Sequence, residues 1–324
     1  EGSAPGRATR RPSPAAIRSP PLAGSPRPSP MRPADATPLA DLMRRIDAAA
    51  DGIPVDTDAV ATGFPSVDRL LGGGLRRGDL AILGGDVGSG KSALALAMAY
   101  RAAERPRSGA PEDDVAPPPV AFASGEMTPA RVAERLLALE GRVRVDDLRH
   151  GALDERTRAA IGAAAVRVRD AALVLEPLPT SVDALADALR RTLDLRLAVV
   201  DSLEHLLAGR APREEELAGA VRRLKLLALE LDVPILVTAQ LTRLDRARKD
   251  LRPRLEDFAA LGAVREFADV VLGVYREEMY ASADGVEGAT ELIALKNRNG
   301  PTGYVDLYFY ARWIRFEDML DPDR

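Results

Sequence analysis

The feature that most constrains the fold of this chain is the segment 85–92, which reads Gly-Asp-Val-Gly-Ser-Gly-Lys-Ser. It fits the pattern G-x-x-x-x-G-K-[ST], in which glycines let the backbone wrap around a phosphate group. The apolar segment Asp79–Leu83 before it is of strand type, and the alanine- and leucine-rich segment Ala93–Ala99 after it favours a helix. A loop between a strand and a helix is the context that this motif requires, so the sequence predicts a phosphate-binding loop.

Each residue type in this loop has a predicted role in binding ATP and Mg²⁺. The loop amides and the positive end of the following helix attract an anion. Lys91 is expected to neutralise the β- and γ-phosphates, and Ser92 is expected to bind Mg²⁺. The alternative is a glycine loop that precedes a helix by chance. The predicted nucleotide-binding residues are Gly85, Gly88, Ser89, Gly90, Lys91 and Ser92.

Composition excludes several other kinds of chemistry. The 324 residues include no cysteine and only two histidines, so disulfides, cysteine-bound zinc and thiol catalysis are excluded and a histidine-based centre is disfavoured. No apolar run approaches the length of a membrane span, and residues 1–30 lack the apolar core of a signal peptide. We therefore expect a cytoplasmic protein without a membrane segment.

The chain divides by composition into a tail and a large domain. Residues 1–37 are rich in proline and arginine and poor in large apolar residues, which predicts a disordered tail. Its net positive charge leaves two hypotheses open: contact with nucleic acid or an acidic partner, and simple solvation. The chain begins with Glu1, which fits a fragment or a processed form. The remaining divisions are predicted as a linker helix and connector over 38–61, an α/β domain over 62–318 and a tail over 319–324.

Strand-like and helix-like segments alternate after the phosphate loop. This alternation implies a mainly parallel sheet covered by helices on both faces, in which ligands bind at the carboxyl ends of the strands. The chain ends in a predicted β-hairpin, formed by Tyr304–Tyr310 and Trp313–Phe316. The predicted strands are Val120–Ser124, Leu197–Asp201, Pro234–Gln240, Asp269–Tyr275 and Glu291–Leu295. The predicted helices are Arg131–Glu140, which follows a Thr128-Pro129 start, Asp154–Arg169, Val182–Leu193 and Glu214–Leu231.

Polar groups stand at the ends of three of these strands, on the edge where the nucleotide is expected. Asp201 closes an apolar run and is expected to hold Mg²⁺ through water, unless it only caps its strand. Glu126 is the candidate for polarising the attacking water, with Glu204 as the alternative base. Glu126 could instead serve the start of the next helix. Gln240 is expected to sense the γ-phosphate, or else to be a buried amide bonded to backbone.

Two clusters of cations predict a function less specifically than the phosphate loop does. Lys296 and Arg298 lie in a turn after a strand, where they are either surface charges or cations that reach a neighbouring subunit's γ-phosphate. The segment 241–254 is basic and follows Gln240, so it is a candidate for tracking a nucleic-acid backbone, with a solvated charged loop as the alternative. The candidate DNA-binding residues are Arg243, Arg246, Arg248, Lys249 and Gly262.

Seven stretches together resemble the C-terminal motor domain of DnaB-type replicative helicases in order and spacing. The resemblance covers roughly residues 38–318, and the runs Arg298–Gly303 and Ala268–Tyr280 are its most specific parts. The stretches are Thr62–Ser92, Ser124–Met127, Asp201, Pro234–Arg243, Gly262–Val264, Ala268–Leu272 and Lys296–Gly303.

The resemblance implies a RecA-like fold and a homohexameric ring with ATP at the subunit interfaces. By the same resemblance, Lys91, Ser92 and Asp201 bind nucleotide and metal, and Glu126 activates water. Gln240 would couple hydrolysis to loops that bind single-stranded DNA.

The resemblance also implies contacts between subunits and with other proteins. Lys296 and Arg298 would act on the neighbouring subunit's nucleotide. The amphipathic segment Leu39–Ile46 looks like the linker helix that docks on an adjacent subunit. A loader or a primase-type protein is an expected partner.

Three departures keep other functions open. We expect the family's N-terminal helical domain to be absent, with the proline-rich tail in its place. Ala259 and Ala260 align with a usual Arg-Glu pair before Gly262. The segments Gly84–Asp86 and Ser124–Glu126 resemble those of RadA- and KaiC-like RecA relatives more closely. The alternatives are therefore a RecA-like regulatory or assembly ATPase that does not unwind DNA, and a RadA-like recombination motor.

Overall fold

The computed structural model describes residues 59–104, 117–151, 153–207, 209, 212–280 and 286–319, together with Gly2, Leu39, Met43 and Asp47. Apart from Gly2, the predicted disordered tail at 1–37 lies outside these residues, as does most of the predicted helix Leu39–Ile46. Leu39, Met43 and Asp47 are each helical and exposed. Within the described ranges, none of the helices is both long and apolar enough to cross a membrane.

A nine-stranded sheet forms the centre of the described domain. Its strands are β3 (Leu80–Gly85), β4 (Val120–Ser124), β5 (Leu173–Pro177), β6 (Leu197–Asp201), β7 (Ile235–Gln240), β8 (Val270–Arg276), β9 (Ala289–Asn297), β10 (Gly303–Tyr310) and β11 (Arg315–Asp318). Their order is β11-β10-β9-β8-β3-β7-β6-β4-β5. The strands from β8 to β5 are parallel, and β9, β10 and β11 continue the sheet in antiparallel fashion. A separate ribbon pairs β1 (Ala59–Val60) with β2 (Leu75–Arg76).

Helices cover both faces of the sheet, as the alternating pattern predicts. They are α1 (Pro65–Leu70), α2 (Lys91–Ala103), α3 (Pro129–Gly141), α4 (Val145–His150), α5 (Glu155–Asp170), α6 (Val182–Arg190), α7 (Arg213–Leu231) and α8 (Leu261–Phe267). Successive side chains of a strand point to opposite faces. Ala81 and Leu83 accordingly pack in one core with α2 and α3, whereas Leu80 and Ile82 pack in a second core with α6, α7 and α8.

The helix starts agree with the chemistry of their first residues. Thr128 accepts a hydrogen bond from the backbone N–H of Arg131, and Pro129 occupies the first turn of α3, as predicted. Asp154 accepts a bond from the N–H of Thr157 at 2.7 Å and so caps α5. Such caps satisfy backbone donors that have no partner within the helix.

Some sequence predictions of elements were incomplete or wrong. Strand β5 was not predicted, because its short apolar run is interrupted by Glu176 and Pro177. The last strand is Arg315–Asp318 rather than Trp313–Phe316, because a 3₁₀ turn at Ala311–Trp313 comes first. Helix α6 ends at Arg190, before the predicted end at Leu193.

A buried carboxylate ties the amino ends of the central strands to the layers around them. Asp269 precedes β8 and is almost fully buried. Its Oδ2 accepts bonds from the Leu80 N–H (2.8 Å) and from Lys225 Nζ on α7 (2.7 Å). Its Oδ1 accepts a bond from Arg298 (2.9 Å) in the turn after β9. One side chain thus connects β3, β8, α7 and that turn.

We expect Asp269→Asn to lower the free energy of unfolding by about 2–4 kcal/mol, because it leaves the Lys225 ammonium without its buried counter-charge. Urea unfolding measures this change. The matched control is Asp232→Asn, whose exposed pair with Arg77 at 3.4 Å should contribute less than about 1 kcal/mol. Equal losses in the two variants would contradict the assigned role of Asp269.

Candidate nucleotide-binding site

The phosphate loop connects β3 to α2 at the carboxyl edge of the parallel strands, where the motif predicts it. Gly90 precedes α2 with φ of 92°, a conformation that disfavours any side chain. At Gly85, a Cβ would lie 2.3 Å from the hydroxyl oxygen of Ser89. The two glycines therefore allow a tight turn whose open side presents the first amides of α2.

Lys91 and Ser89 supply a charge and a hydroxyl inside this turn. Both residues are buried. Lys91 makes no hydrogen bond or ion pair with the described residues, and the hydroxyl of Ser89 is likewise without a partner there. Buried polar groups are usually paired. Two unpaired groups in one loop indicate that a polar ligand completes the site.

Ser92 and Asp201 meet at the centre of the site. The Ser92 hydroxyl donates to Asp201 Oδ1 at 2.8 Å, and the Thr238 hydroxyl donates to the same oxygen at 2.6 Å. Asp201 is fully buried, and its Oδ2 has no partner among the described residues. Sequence reasoning missed Thr238, although a hydroxyl within the apolar run of β7 was the available signal. These bonds join α2, β6 and β7 at one point.

The two candidate bases differ in their surroundings. Glu126 lies just beyond β4, is exposed, and its carboxylate has no partner within the described part of the chain. Glu204 instead accepts the Gln240 backbone N–H on Oε1 at 2.7 Å, and its Oε2 is buried. Glu204 therefore holds the end of β7, whereas Glu126 is free to contact a water molecule. The side chain of Gln240 is half-buried at the same edge.

Two arginines that the sequence did not single out for this role hold the phosphate loop from outside. Arg276, at the end of β8, donates to the Gly88 carbonyl at 3.1 Å and pairs with Glu278. Arg246 binds both carboxylate oxygens of Asp86, a buried residue within the loop. Arg246 was predicted as a DNA contact, and here it is engaged with the nucleotide-site loop.

Lys296 and Arg298 lie far from the phosphate loop of their own chain. The turn that holds Arg298 is bonded to Asp269, at the amino end of β3, and the loop begins at the other end of that strand. At about 3.3 Å per residue, this separates them by roughly 17 Å. Lys296 donates to the carbonyls of Arg265 and Ala268, and burial together with the Arg298 charge lowers the pKa of its ammonium. Both cations therefore lie at the end of β3 that is remote from the phosphate loop of the same chain.

Most cations of the basic segment 241–254 have partners in their own chain. Arg243 pairs with Glu214, and Arg252 pairs with Glu291. The Arg248 pair with Asp257 is largely buried. Arg246 binds Asp86, as described, and Arg254 lies 3.6 Å from Asp250. Lys249 is exposed and makes no ion pair with any residue that the structure describes.

The two residues that precede the helix at Gly262 are uncharged. Gly262 is exposed in the first turn of α8. Ala260 immediately before the helix is buried and has φ of 51°. Its N–H donates to Glu214 at 2.7 Å. The Ala259-Ala260 pair therefore places no charged side chain beside Gly262.

An aromatic pocket of about 490 Å³ lies beside the phosphate loop. Phe309 connects the two, because Arg276 lies over its ring at 4.4 Å and also donates to Gly88. The rings of Tyr310 and Trp313 stack at 5.3 Å on the pocket wall. A pocket with aromatic side chains in its wall next to a phosphate site offers a surface for a flat ring system.

The chemistry of these donors fits a nucleotide with Mg²⁺. Mg²⁺ prefers oxygen ligands and binds through one or two carboxylates together with phosphates and water. Asp201 Oδ2 is a buried carboxylate oxygen without a partner in the described residues, and the Ser92 hydroxyl lies beside it. Lys91 and the amides at the start of α2 supply the positive potential that phosphates require.

The parallel sheet, the loop between β3 and α2 and the acidic end of β6 define a RecA-like P-loop nucleotide-binding domain. Residues 59–318 match the model of the family described as DnaB-like helicase C terminal domain. The chain belongs to this family.

Curated relatives agree with the family match over most of the chain. The chain is 33% identical to the replicative DNA helicase DnaB of Leifsonia xyli over 279 residues, which cover 84% of the chain and 57% of the relative. It is 35% identical to the same-named protein of Treponema pallidum over 267 residues, which cover 81% and 56%. The chain thus spans somewhat more than half the length of these relatives.

Solved structures show the same fold at lower identity. One of them, described as an ATPase domain, superposes with a TM-score of 0.77 at 23% identity, over 88% of this chain and all of that one. A DnaB-like replicative helicase, solved in a study of its interactions with primase, gives a TM-score of 0.75 at 23% identity, over 88% and 68%.

We expect Asp201→Asn to abolish the strengthening of nucleotide binding by Mg²⁺, because an amide oxygen replaces the carboxylate at the predicted metal position. Titration of ADP with and without Mg²⁺ measures the difference. Asp187→Asn, which removes an exposed carboxylate on α6, is the control and should keep the full Mg²⁺ effect. An unchanged Mg²⁺ effect in Asp201→Asn would disprove the assignment.

Proposed function

We propose that this chain is an ATP-dependent DNA helicase motor of the DnaB type. It hydrolyses ATP at subunit interfaces, translocates on single-stranded DNA and unwinds duplex DNA in replication. The observation that carries the proposal is the meeting of Lys91, Ser92, Asp201 and Glu126 at one edge of the sheet. The family match supports the helicase assignment over competing uses of the same fold.

Each residue of the site has a part in hydrolysis. The loop amides and Lys91 bind the β- and γ-phosphates and stabilise the charge that develops on them. Ser92 and Asp201 hold Mg²⁺, which neutralises phosphate charge when bound. Glu126 orients and deprotonates water, since its carboxylate is free of other contacts within the described residues. Gln240, at the end of the adjacent strand, responds to the γ-phosphate.

The position of Arg298 supports hydrolysis between subunits. A P-loop site gains much of its rate from an arginine that stabilises the transferring phosphate. The turn with Lys296 and Arg298 lies at the edge of the sheet opposite the phosphate loop, so these cations serve a neighbouring subunit. A closed ring, here a homohexamer, gives every site such a neighbour.

Single-stranded DNA and partner proteins complete the proposal. Lys249 is the exposed cation of the basic segment that has no ion pair within the described chain, and it is the first candidate for a DNA phosphate. A loader or a primase-type protein is a proposed partner. The support for a primase-type partner is that a structurally similar DnaB-like helicase was solved in a study of its interactions with primase. We also propose a cytoplasmic location, which a role in replication would require.

A second function follows from a specific observation. Ala259 and Ala260 bring no charge to the segment before Gly262, and most arginines of the basic segment are engaged within the chain. These features favour a RecA-like regulatory or assembly ATPase that hydrolyses ATP without unwinding, or a RadA-like motor that acts on recombination intermediates. Salt-dependent binding to single strands would favour a DNA motor over the regulatory ATPase.

The first test is unwinding of a forked duplex with ATP and Mg²⁺. We expect the wild-type chain to unwind it and Lys91→Ala to lose both unwinding and hydrolysis, because the γ-phosphate loses its counter-charge. Arg149→Gln removes a cation from an exposed pair with Glu134 and is the control. If the wild type hydrolyses ATP but does not unwind the duplex, the result would contradict the helicase proposal and favour the regulatory ATPase.

The second test mixes two inactive variants. Arg298→Ala and Glu126→Ala subunits should each hydrolyse ATP poorly alone, yet regain part of the activity when mixed, because some interfaces then pair an intact Glu126 with an intact Arg298. Steady-state ATPase rates across mixing ratios measure this recovery. If no ratio restores activity, the role of Arg298 across the interface is wrong.

A further inference from the structure

The phosphate loop of this chain contains a carboxylate, Asp86, which is 5% exposed. A negative charge beside bound phosphates disfavours their binding, because like charges a few Å apart repel strongly at a partly buried site. Asp86 is held by three donors. The Val87 N–H donates to Oδ1 at 2.8 Å, Arg246 lies 2.9 and 2.8 Å from Oδ1 and Oδ2, and the Tyr280 hydroxyl donates to Oδ2 at 3.3 Å.

Arg246 is the only full positive charge among these donors, and it comes from outside the loop. It belongs to the segment 241–254 that follows β7, and 66% of its side chain is exposed. A pair between one buried and one exposed partner holds the carboxylate while leaving the guanidinium accessible to other anions. Arg246 is thus the direct link between the basic segment and the phosphate loop.

The same segment is attached to this region a second time. The Arg252 guanidinium lies 4.8 Å above the ring of Tyr275, which stacks on Tyr280 at 5.6 Å. Burial and the nearby Asp86 raise the pKa of Tyr280 to about 12, so its hydroxyl remains a donor at neutral pH. Movement of segment 241–254 therefore changes the surroundings of Asp86 from two directions.

We propose that Arg246 is a positioning residue of the nucleotide site, which neutralises Asp86 and so sets the affinity of the phosphate loop. A DNA phosphate is an alternative partner for the exposed guanidinium. DNA bound to segment 241–254 draws Arg246 from Asp86, and the uncompensated carboxylate then weakens ADP binding and speeds product release. This second step rests on the proposed DNA-binding function.

The effect of the Arg246 charge on ADP binding can be measured without DNA. Binding of a fluorescent N-methylanthraniloyl ADP is followed by energy transfer from Trp313, the single tryptophan of the chain, which lines the aromatic pocket. We expect Arg246→Gln to weaken binding about tenfold, because Asp86 is left unneutralised. Asp86→Asn should bind at least as tightly as the wild type. The double variant Asp86→Asn/Arg246→Gln should return close to the wild-type affinity.

Arg190 provides a matched control for Arg246. Arg190 bridges both oxygens of Glu230 through one nitrogen, as Arg246 bridges Asp86, but it lies on α6. Arg190→Gln should leave ADP affinity unchanged. A double variant that binds as weakly as Arg246→Gln overturns the proposal, since the arginine would then act by holding the fold of the loop rather than by its charge.

The link to DNA is tested by adding a saturating thymidine oligonucleotide. ADP affinity should fall several-fold in the wild type and remain unchanged in Arg246→Gln and in Asp86→Asn, because coupling between two ligands is reciprocal and requires the pair. An oligonucleotide that binds the wild type without changing ADP affinity overturns the link alone. Absence of oligonucleotide binding overturns both the link and the proposed function, whereas charge rescue in the first test still supports the role of Arg246.

Discussion

Parallel hydrogen bonding between β3 and its two neighbours is the constraint on which the site depends. The register places Gly85 opposite Gln240 on β7 and opposite Val274 on β8. The phosphate loop, the candidate sensor and the arginine at the end of β8 therefore emerge side by side. Two strands further along, Ser124 lies opposite Asp201, so the candidate metal ligand and the candidate base also share this edge. Backbone pairing thus brings the candidate functional residues to one edge of the sheet, where their side chains lie close together.

Much of this site could be predicted because three of its strands, β4, β6 and β7, are apolar runs closed by a polar residue. That pattern is local, and it correctly located the ends of β4, β6 and β7. The Asp201–Thr238 bond and the Asp86–Arg246 pair could not be predicted in the same way. They join residues 37 and 160 positions apart, and no periodicity of a single segment encodes such a contact. The arginines after β7 showed the limit most clearly, because a charge count does not reveal which charges are already paired.

The charged groups of the domain differ in how they are paired. Asp86, Asp201 and Asp269 are all buried carboxylates, and each accepts several hydrogen bonds within the chain. Lys91 and Glu126, by contrast, have no partners among the described residues. Isolated buried charge is unfavourable, so an unpaired lysine within a loop is stable only where a ligand or water completes its surroundings.

The Asp269–Arg298 pair has a mechanical consequence for the proposed ring of subunits. Phosphates of a neighbouring subunit can capture Arg298 only by competing with a carboxylate 2.9 Å away. When they succeed, the Asp269 carboxylate keeps Lys225 and the Leu80 N–H but loses the Arg298 guanidinium, while the Arg298 backbone N–H stays bonded to the Asp269 carbonyl at 3.0 Å. Leu80 begins the strand whose other end is the phosphate loop. Through β3, binding of Arg298 to a neighbour's nucleotide would then affect the phosphate loop of the subunit that supplies the arginine.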